Sequence, residues 1–360
     1  MKSVSSIRPA GFVFIRVHSW FPFEVIAGCG FLFPAMLYPL TFKPIFKTRP
    51  WGGRNIEKLY GKPLPTTEPV GESWEISDRP PDVSVIANGP LAGKDLRWLM
   101  EQHRRDVLGA SATTSGPFPL LVKILDAEQT LSVQVHPPAH VAKRLGGEPK
   151  TEMWYVTHAR PDAALYLGLK RGVTREEFER RMREGTVAES LHRVPVHAGD
   201  VMFLPSGRLH AIGGGLVIFE IQQNSDTTYR VFDWNRLGLD GKPRELHPEA
   251  SLASIDFTDY EPGLITSKYS PNPKFAVRLL VDDPLFKVDA CRVQRRARFH
   301  LRSDALQILG IVRGRLLVTH GESELEVKAG EFCLLPASLG RVSCHATTAL
   351  EFLHVQTGQM

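Results

Sequence analysis

A repeated segment is the feature that most constrains how this chain can fold. Residues 196–206 read VHAGDVMFLPS and residues 327–337 read VKAGEFCLLPA, with valine, alanine, glycine, leucine and proline in matching places. Each copy is a turn followed by a strand that ends at a proline, which is typical of sandwiches and barrels built from hairpins. From residue 38 onwards, short apolar runs alternate with turn residues. The sequence therefore predicts a mainly β chain with two related sheet domains.

The first copy carries a spacing that resembles the second sequence motif of the cupins. Gly199 and Asp200 are followed by Pro205 and, five residues later, by His210. In the second copy the position of His210 is taken by Arg341. We therefore assign chemistry to the first copy and a structural role to the second. The predicted fold class is mainly β, with two cupin-like β-barrel (jelly-roll) domains and a few peripheral helices.

The chain is predicted to divide into three segments. We expect an N-terminal extension outside the fold over residues 1–36, a metal-binding catalytic cupin domain with helical insertions over residues 37–258, and a C-terminal cupin-like domain without the metal site over residues 259–360. The apolar stretch at residues 20–42 is interrupted by Glu24 and by prolines. A membrane-spanning helix is therefore not expected there.

Capping patterns predict helices outside the sheet core. Asp95 can cap a helix that runs to Leu108, and residues 174–177 form a capping box that opens a charged helix through Arg183. Another short helix is expected over residues 187–193.

Charge and cysteine content limit the partners of this chain. Lysine and arginine total 44 against 39 acidic residues, and the net charge of +5 is too mild to indicate a nucleic-acid partner. The 4 cysteines contain no C-x-x-C pair, which favours a reducing compartment. We therefore expect a cytoplasmic protein that acts on a small molecule, with no nucleic-acid and no membrane partner. The oligomeric state is left open.

Polar residues that alternate along one strand indicate a metal site. Residues 131–136 read LSVQVH, so serine, glutamine and histidine share one face while the valines occupy the other. A carboxylate follows after a loop, and the histidine of the first repeat comes later. Two imidazoles, a carboxylate and an amide oxygen suit zinc, with iron, manganese or cobalt as alternatives. The candidate ligands are Gln134, His136, Glu152 and His210.

Further stretches carry a family resemblance. They are residues 38–47 with 49–54, 71–77, 119–125, 131–137, 150–155, 199–213 and 222–231. Through them the chain from residue 37 to about residue 257 resembles the type I mannose-6-phosphate isomerases in their short bacterial form. The resemblance implies that the four candidate ligands hold one zinc ion per chain. It also implies that Arg230 is the active-site arginine and that Lys123 and Lys150 are cleft lysines.

The implied function is a zinc-dependent interconversion of mannose 6-phosphate and fructose 6-phosphate, which links hexose metabolism to mannose-containing glycans. This reaction moves a proton between C2 and C1 through a cis-enediol, and it requires a base and an electrophile. We expect Arg230, Lys150 and Glu220 to be catalytic and Lys123 and Ser132 to bind the sugar phosphate. Glu220 can be the base or the structural partner of a cation. Which cation holds the phosphate stays open.

Alternative functions share the same predicted barrel. The chain can be an isomerase of another sugar phosphate, such as glucose 6-phosphate, or a non-catalytic sugar-binding cupin. Two histidines and a carboxylate also form the site of non-haem iron oxygenases. The lysines near the site and Arg230 speak against an oxygenase, because they suit a phosphorylated substrate.

Overall fold

The computed structural model describes residues 37–110, 112 and 115–358. The extension predicted over residues 1–36 lies outside the described residues. Within them the chain consists mainly of antiparallel strands with a few helices, which confirms the predicted fold class. Each half of the described chain contains a larger and a smaller sheet, in the double-sheet arrangement of jelly rolls. The domain boundary between residues 258 and 259 stays a prediction.

The first half contains a six-stranded sheet, a five-stranded sheet and a two-stranded ribbon. From edge to edge, the six-stranded sheet consists of β1 (Ile45–Gly53), β2 (Val70–Ile76), β5 (Leu120–Ala127), β12 (Leu216–Gln223), β7 (Glu152–Ala159) and β10 (Val201–Leu204). The five-stranded sheet consists of β13 (Tyr229–Phe232), β6 (Val133–Val135), β11 (His210–Ile212), β8 (Ala164–Leu169) and β9 (Leu191–Pro195). The ribbon consists of β3 (Asp78–Arg79) and β4 (Asp82–Val83).

The second half contains a five-stranded and a four-stranded sheet. The five-stranded sheet consists of β14 (Phe275–Asp282), β15 (Phe286–Val293), β22 (Leu350–Thr357), β17 (Gln307–Arg313) and β20 (Phe332–Leu335). The four-stranded sheet consists of β16 (Arg298–Ser303), β21 (Gly340–Ala346), β18 (Arg315–His320) and β19 (Ser323–Lys328). The two copies of the repeated segment form β10 and β20, and each lies at an edge of the larger sheet of its half. The repeat in sequence is therefore a repeat in structure.

The helices lie between the strands. They are α1 (Asn55–Tyr60), α2 (Leu96–Leu108), α3 (Ala139–Ala142), α4 (Arg175–Glu184) and α5 (Pro248–Ser254), with 3-10 turns at Lys143–Leu145, Val187–Ser190 and Ala337–Leu339. Asp95 caps α2 and accepts a hydrogen bond of 2.7 Å from the amide of Trp98. Thr174 caps α4 through the amide of Glu177. The helix predicted over residues 187–193 is wrong beyond its first turn, because the chain there enters β9 and pairs with β8.

One hydrophobic core extends across both halves of the described chain. It joins the buried face of α2 and the outer face of the six-stranded sheet to the strands of the second half. Leu40 and Leu334 exchange backbone hydrogen bonds of 2.9 and 2.8 Å within this core. The cysteines of the described residues, Cys291, Cys333 and Cys344, are buried free thiols. Among the residues that the structure describes, no helix has the length and apolar character needed to cross a membrane.

A buried carboxylate also connects the two halves. Glu351 on β22 accepts hydrogen bonds of 2.9 Å from the hydroxyls of Tyr155 on β7 and of Tyr269. Arg292 on β15 donates to the same oxygen at 3.2 Å. Burial works against ionisation of this carboxyl, but the donors lower the pKa of Glu351 below its usual value. The charged acceptor therefore stabilises the contact between β7 and the second half.

Replacing Glu351 with glutamine is expected to lower the free energy of unfolding by about 2 kcal/mol, the value of hydrogen bonds to a charged group. The amide has one acceptor oxygen and loses the charge that both hydroxyls and Arg292 approach. Urea denaturation measures the effect. The control is Glu326→Gln, which breaks an exposed ion pair with Arg315 and should cost at most about 0.5 kcal/mol. Equal effects of the two substitutions would contradict the role given to Glu351.

Candidate metal centre and substrate cavity

The strand register of the smaller sheet places the polar residues of the first half on one face. Gln134 on β6 pairs directly with His210 on β11 and with Arg230 on β13. Residues that pair directly across strands point to the same side of the sheet. Ser132 and His136 lie two positions before and after Gln134 and are both buried. The polar face predicted for residues 131–136 therefore includes His210 and Arg230.

The six-stranded sheet contributes a second set of polar side chains. Glu220 on β12 pairs with Lys123 on β5 and with Trp154 on β7, and Gln222 pairs with Glu152. These side chains lie on the face opposite to the buried valine, phenylalanine and isoleucine that alternate with them along β12. The predicted inward direction of Glu220 is confirmed.

His136, Glu152 and His210 form a group that could hold a metal ion. Their ligand atoms lie within 4.8 Å of one another and all three residues are buried. The Nε2 atoms of His136 and His210 each lie 3.6 Å from an oxygen of Glu152. The Nδ1 atoms lie 2.8 Å from the carbonyl of Thr227 and 2.9 Å from that of Arg208. A ring nitrogen that faces a carbonyl carries the proton, so each Nε2 presents its lone pair to the group.

The protonation states of the group are those that metal binding requires. Burial and the nearby ammonium of Lys150 lower the pKa of His136, and burial and the ring of His136 lower the pKa of His210 to about 3. Burial works against ionisation of Glu152, but Lys150 holds the pKa of this carboxyl well below its usual range. Two neutral imidazoles and one carboxylate therefore face one another.

The carboxylate of Glu152 is buried and has Lys150 as its nearest cation. Both of its oxygens are buried, and neither meets the geometry of a hydrogen bond with any described residue. Its ion pair with Nζ of Lys150 spans 2.8 Å. A buried carboxylate in this state is costly unless a further cation completes its surroundings. The residues present therefore fit a divalent metal ion.

Gln134 lies beside the group. Its Nε2 atom is 3.2 Å from Nε2 of His210, while its Oε1 atom accepts a hydrogen bond of 3.2 Å from the hydroxyl of Ser132. A half-turn of the amide exchanges the two atoms, and the oxygen then faces the group.

A cavity of about 570 Å³ opens next to this group. The predicted site residues that line it are Lys123, Ser132, Gln134, Lys150, Glu220 and Arg230. His136, Glu152 and His210 are buried behind Gln134 and Lys150. Every site residue predicted from the sequence thus lies in the cavity wall or in the group behind it.

The lysines of the cavity lie close to carboxylates. Nζ of Lys123 is 3.4 Å from Glu220 and 5.0 Å from the centre of the Trp74 ring. Burial and, to a lesser extent, Glu152 raise the pKa of Glu220, whose carboxylate accepts a hydrogen bond of 3.0 Å from the indole of Trp154. Burial works against the charge of Lys150, but Glu152 raises its pKa. The cavity therefore holds a carboxylate of raised pKa next to an ammonium that keeps its charge.

Glu72 is a cavity residue that the sequence reasoning missed. It accepts hydrogen bonds of 2.7 Å from Arg49 and from the indole of Trp74. Burial works against its ionisation, but Lys123 and Arg49 lower the pKa of Glu72 to about 2. Glu72 and Arg49 both lie in stretches that carry the family resemblance. The resemblance therefore marked both residues, but the sequence pattern did not show that Arg49 and Glu72 contact each other.

Residues 40–148 match the family described as phosphomannose isomerase type I, catalytic domain. The probable mannose-6-phosphate isomerase GmuF of Bacillus subtilis is 35% identical over 326 residues, which cover 89% of this chain and 100% of that protein. The chain belongs to the type I mannose-6-phosphate isomerase family. This confirms the resemblance and makes the protein an enzyme of the aldose-ketose isomerase class.

Other members of the mannose-6-phosphate isomerase family are similar to this chain in sequence and in structure. The mannose-6-phosphate isomerase of Streptococcus mutans is 35% identical over 305 residues, 84% of this chain and 94% of that protein. The crystal structure of the mannose 6-phosphate isomerase from Bacillus subtilis superposes with a TM-score of 0.80 at 30% sequence identity. That superposition covers 88% of this chain and 99% of the other. The relationship therefore extends over both halves of the described chain.

Proposed function

We propose that this protein interconverts mannose 6-phosphate and fructose 6-phosphate in the cytoplasm, with one zinc ion held by Gln134, His136, Glu152 and His210. The observation that carries the proposal is the buried group of His136, Glu152 and His210, whose ligand atoms lie within 4.8 Å of one another beside a cavity lined by charged residues of both signs. Family membership supports the substrate pair. The reaction would connect hexose metabolism with mannose-containing glycans.

Zinc suits this set of ligands because they are nitrogen and oxygen donors without a thiolate. A zinc ion held there would supply Lewis-acid charge that stabilises the developing negative charge of the enediol. Lys150, 3.2 Å from Nε2 of His136 and 2.8 Å from Glu152, lies beside the same position. Its ammonium can donate a hydrogen bond to the sugar oxygen that gains negative charge in the reaction.

Glu220 is the proposed base. Its carboxylate is buried and oriented by the indole of Trp154, and its raised pKa brings its basicity closer to that needed at neutral pH. Glu220 removes the proton from C2 of mannose 6-phosphate, the electrons of the C2–H bond form the C1–C2 double bond, and the π electrons of the C1 carbonyl move to O1, which takes up a proton to give the cis-enediol. Glu220 then delivers a proton to C1 as O2 releases its own proton, which leaves a ketone at C2 and a hydroxyl at C1 and gives fructose 6-phosphate. Lys123, 3.4 Å from Glu220, forms an ion pair with the carboxylate and helps to orient it.

Proton transfer can be tested in deuterated water. Isomerisation of mannose 6-phosphate should place deuterium at C1 of fructose 6-phosphate, because a base that opens to a solvent-accessible cavity exchanges its proton. Proton NMR of the product measures the incorporation. Glucose 6-phosphate is tested in parallel as the competing substrate. Product without deuterium would contradict a base that exchanges with solvent, and faster turnover of glucose 6-phosphate would contradict the substrate.

A further inference from the structure

The loop after β13, formed by residues 233–247, lies at one side of the cavity. It is called the 233–247 loop below. Leu237 and Pro243 form an isolated bridge, and the amide of Gly238 donates a hydrogen bond of 2.7 Å to the carbonyl of Lys242. The tip residues Gly238, Leu239 and Asp240 line the cavity together with Arg244. The loop is therefore part of the cavity wall at the end that lies next to Arg230.

Asp233 fixes the two arms of this loop. It is 5% exposed and accepts hydrogen bonds of 2.7 Å from Arg236 and of 2.7 and 2.6 Å from Nε and Nη2 of Arg244. Arg236 also donates to the carbonyl of Thr130 at 2.8 Å. Burial works against ionisation of Asp233, but the guanidinium groups of Arg244 and Arg236 lower its pKa. Because Asp233 uses Nε and Nη2 of Arg244, the N–H bonds of Nη1 remain for another acceptor.

Arg230 presents a second guanidinium at this end. Its Nη1 atom donates to the carbonyl of Glu245 at 2.7 Å, while its Nε atom is buried with no hydrogen-bond partner among the described residues. Burial and the neighbouring guanidinium of Arg244 lower the pKa of Arg230. Within the described part of the chain, no carboxylate lies within ion-pair distance of Arg230. The guanidinium groups of Arg230 and Arg244 therefore lie in the same part of the cavity wall. The N–H group at Nε of Arg230 has no acceptor among the described residues.

The charges of the cavity differ between its two walls. On the wall formed by the six-stranded sheet and the residues next to it, each cation lies within 4.0 Å of a carboxylate; the cations are Arg49, Lys123 and Lys150, and the carboxylates are Glu72, Glu152, Glu220 and Asp226. Carboxylates outnumber cations there, which suits a metal cation. On the wall formed by β13 and the 233–247 loop, Arg230 and Arg244 line the cavity, and the buried carboxylate there, Asp233, pairs with Arg244 and with Arg236. The exposed tip residues Asp240 and Lys242 carry opposite charges.

We propose that Arg244, held in place by Asp233, binds the phosphate group of the substrate together with Arg230 and thereby selects phosphorylated over free sugars. This inference rests on the proposed function. A phosphate group carries close to two negative charges at neutral pH and accepts several hydrogen bonds. Planar guanidinium groups bind such a group with paired N–H donors. Arg230 then acts on the phosphate, and Lys150, 2.8 Å from Glu152, is left to stabilise the negative charge that develops on the enediol.

The test compares Arg244→Ala with Lys242→Ala in the zinc-loaded, full-length protein. Lys242 lies on the same loop, is exposed and does not line the cavity, so its truncation controls for charge and loop position. Arg244→Ala should raise KM for mannose 6-phosphate and weaken binding of inorganic phosphate by roughly 10- to 100-fold, as expected for loss of charge-assisted hydrogen bonds. kcat should change much less than KM. Lys242→Ala should match the wild type in each measurement.

A second variant covers the case in which Arg244→Ala is unstable. Asp233→Asn keeps the shape of the side chain and removes the charge that orients Arg244, so it should raise KM more than it lowers kcat. Binding of inorganic phosphate is measured by calorimetry and needs no turnover. If wild-type protein binds phosphate and Arg244→Ala binds it equally well, the inference is wrong. If wild-type protein binds phosphate but does not isomerise mannose 6-phosphate, the proposed function fails instead.

Discussion

Replacing His210 with alanine should remove the bound metal ion and lower turnover of mannose 6-phosphate by roughly 10³-fold or more, since metal-ion catalysis contributes several kcal/mol to the transition state. His210 supplies one of the two Nε2 atoms that face Glu152, and its Nδ1 is fixed by a backbone carbonyl. Without it, Glu152 faces one imidazole. Elemental analysis gives the metal content, and a coupled assay gives the rate.

His158→Ala is the matched control. His158 lies on the same strand as Glu152 but is exposed, so its removal should change neither metal content nor rate. A His210→Ala protein with one zinc ion per chain would contradict the ligand assignment. Loss of metal in both variants would indicate a general effect on folding, which circular dichroism of the two proteins distinguishes.

Replacing Glu220 with glutamine is expected to lower kcat by about 10²- to 10⁴-fold, the contribution of a general base, while zinc content stays at the wild-type value. Glutamine keeps an acceptor for the indole of Trp154 but cannot take up the C2 proton. The coupled assay gives kcat, and NMR in deuterated water reports whether C2 of mannose 6-phosphate still exchanges.

The alternative role of Glu220 is to hold Lys123. In that case Glu220→Gln would raise KM and leave kcat and C2 exchange close to wild type, and the assignment of the base would be wrong. Glu128→Gln serves as the control, because Glu128 is an exposed carboxylate paired with Arg160 and lies outside the cavity. It should keep wild-type kcat.

The sequence predicted correctly those features of the site that depend on residues close together in the chain. The alternation of residues 131–136 and of β12 gave the inward faces, because side chains of a strand alternate with a period of two. The repeated segment gave the edge strands β10 and β20, since each copy contained both the turn and the strand. His210 could be chosen among many histidines because it followed the first copy at a fixed spacing.

Other parts of the site depend on pairing between distant strands and could not be read along the chain. Glu72 acquires its role because the register of β2 with β5 places it near Lys123. Asp233 and Arg244 are eleven positions apart and meet because the loop between them folds back on itself. The helix predicted over residues 187–193 failed for a related reason, since β8 offered those residues a strand partner.

A coupled assay for fructose 6-phosphate, with mannose 6-phosphate as substrate, tests the central claim most directly. It is run on the purified full-length protein as isolated, after chelation, and after addition of zinc. We expect activity that chelation removes and zinc restores, because the buried group of His136, Glu152 and His210 requires a cation. Activity that survives complete removal of metal, or none in the folded, zinc-loaded protein, would contradict a zinc-dependent isomerase.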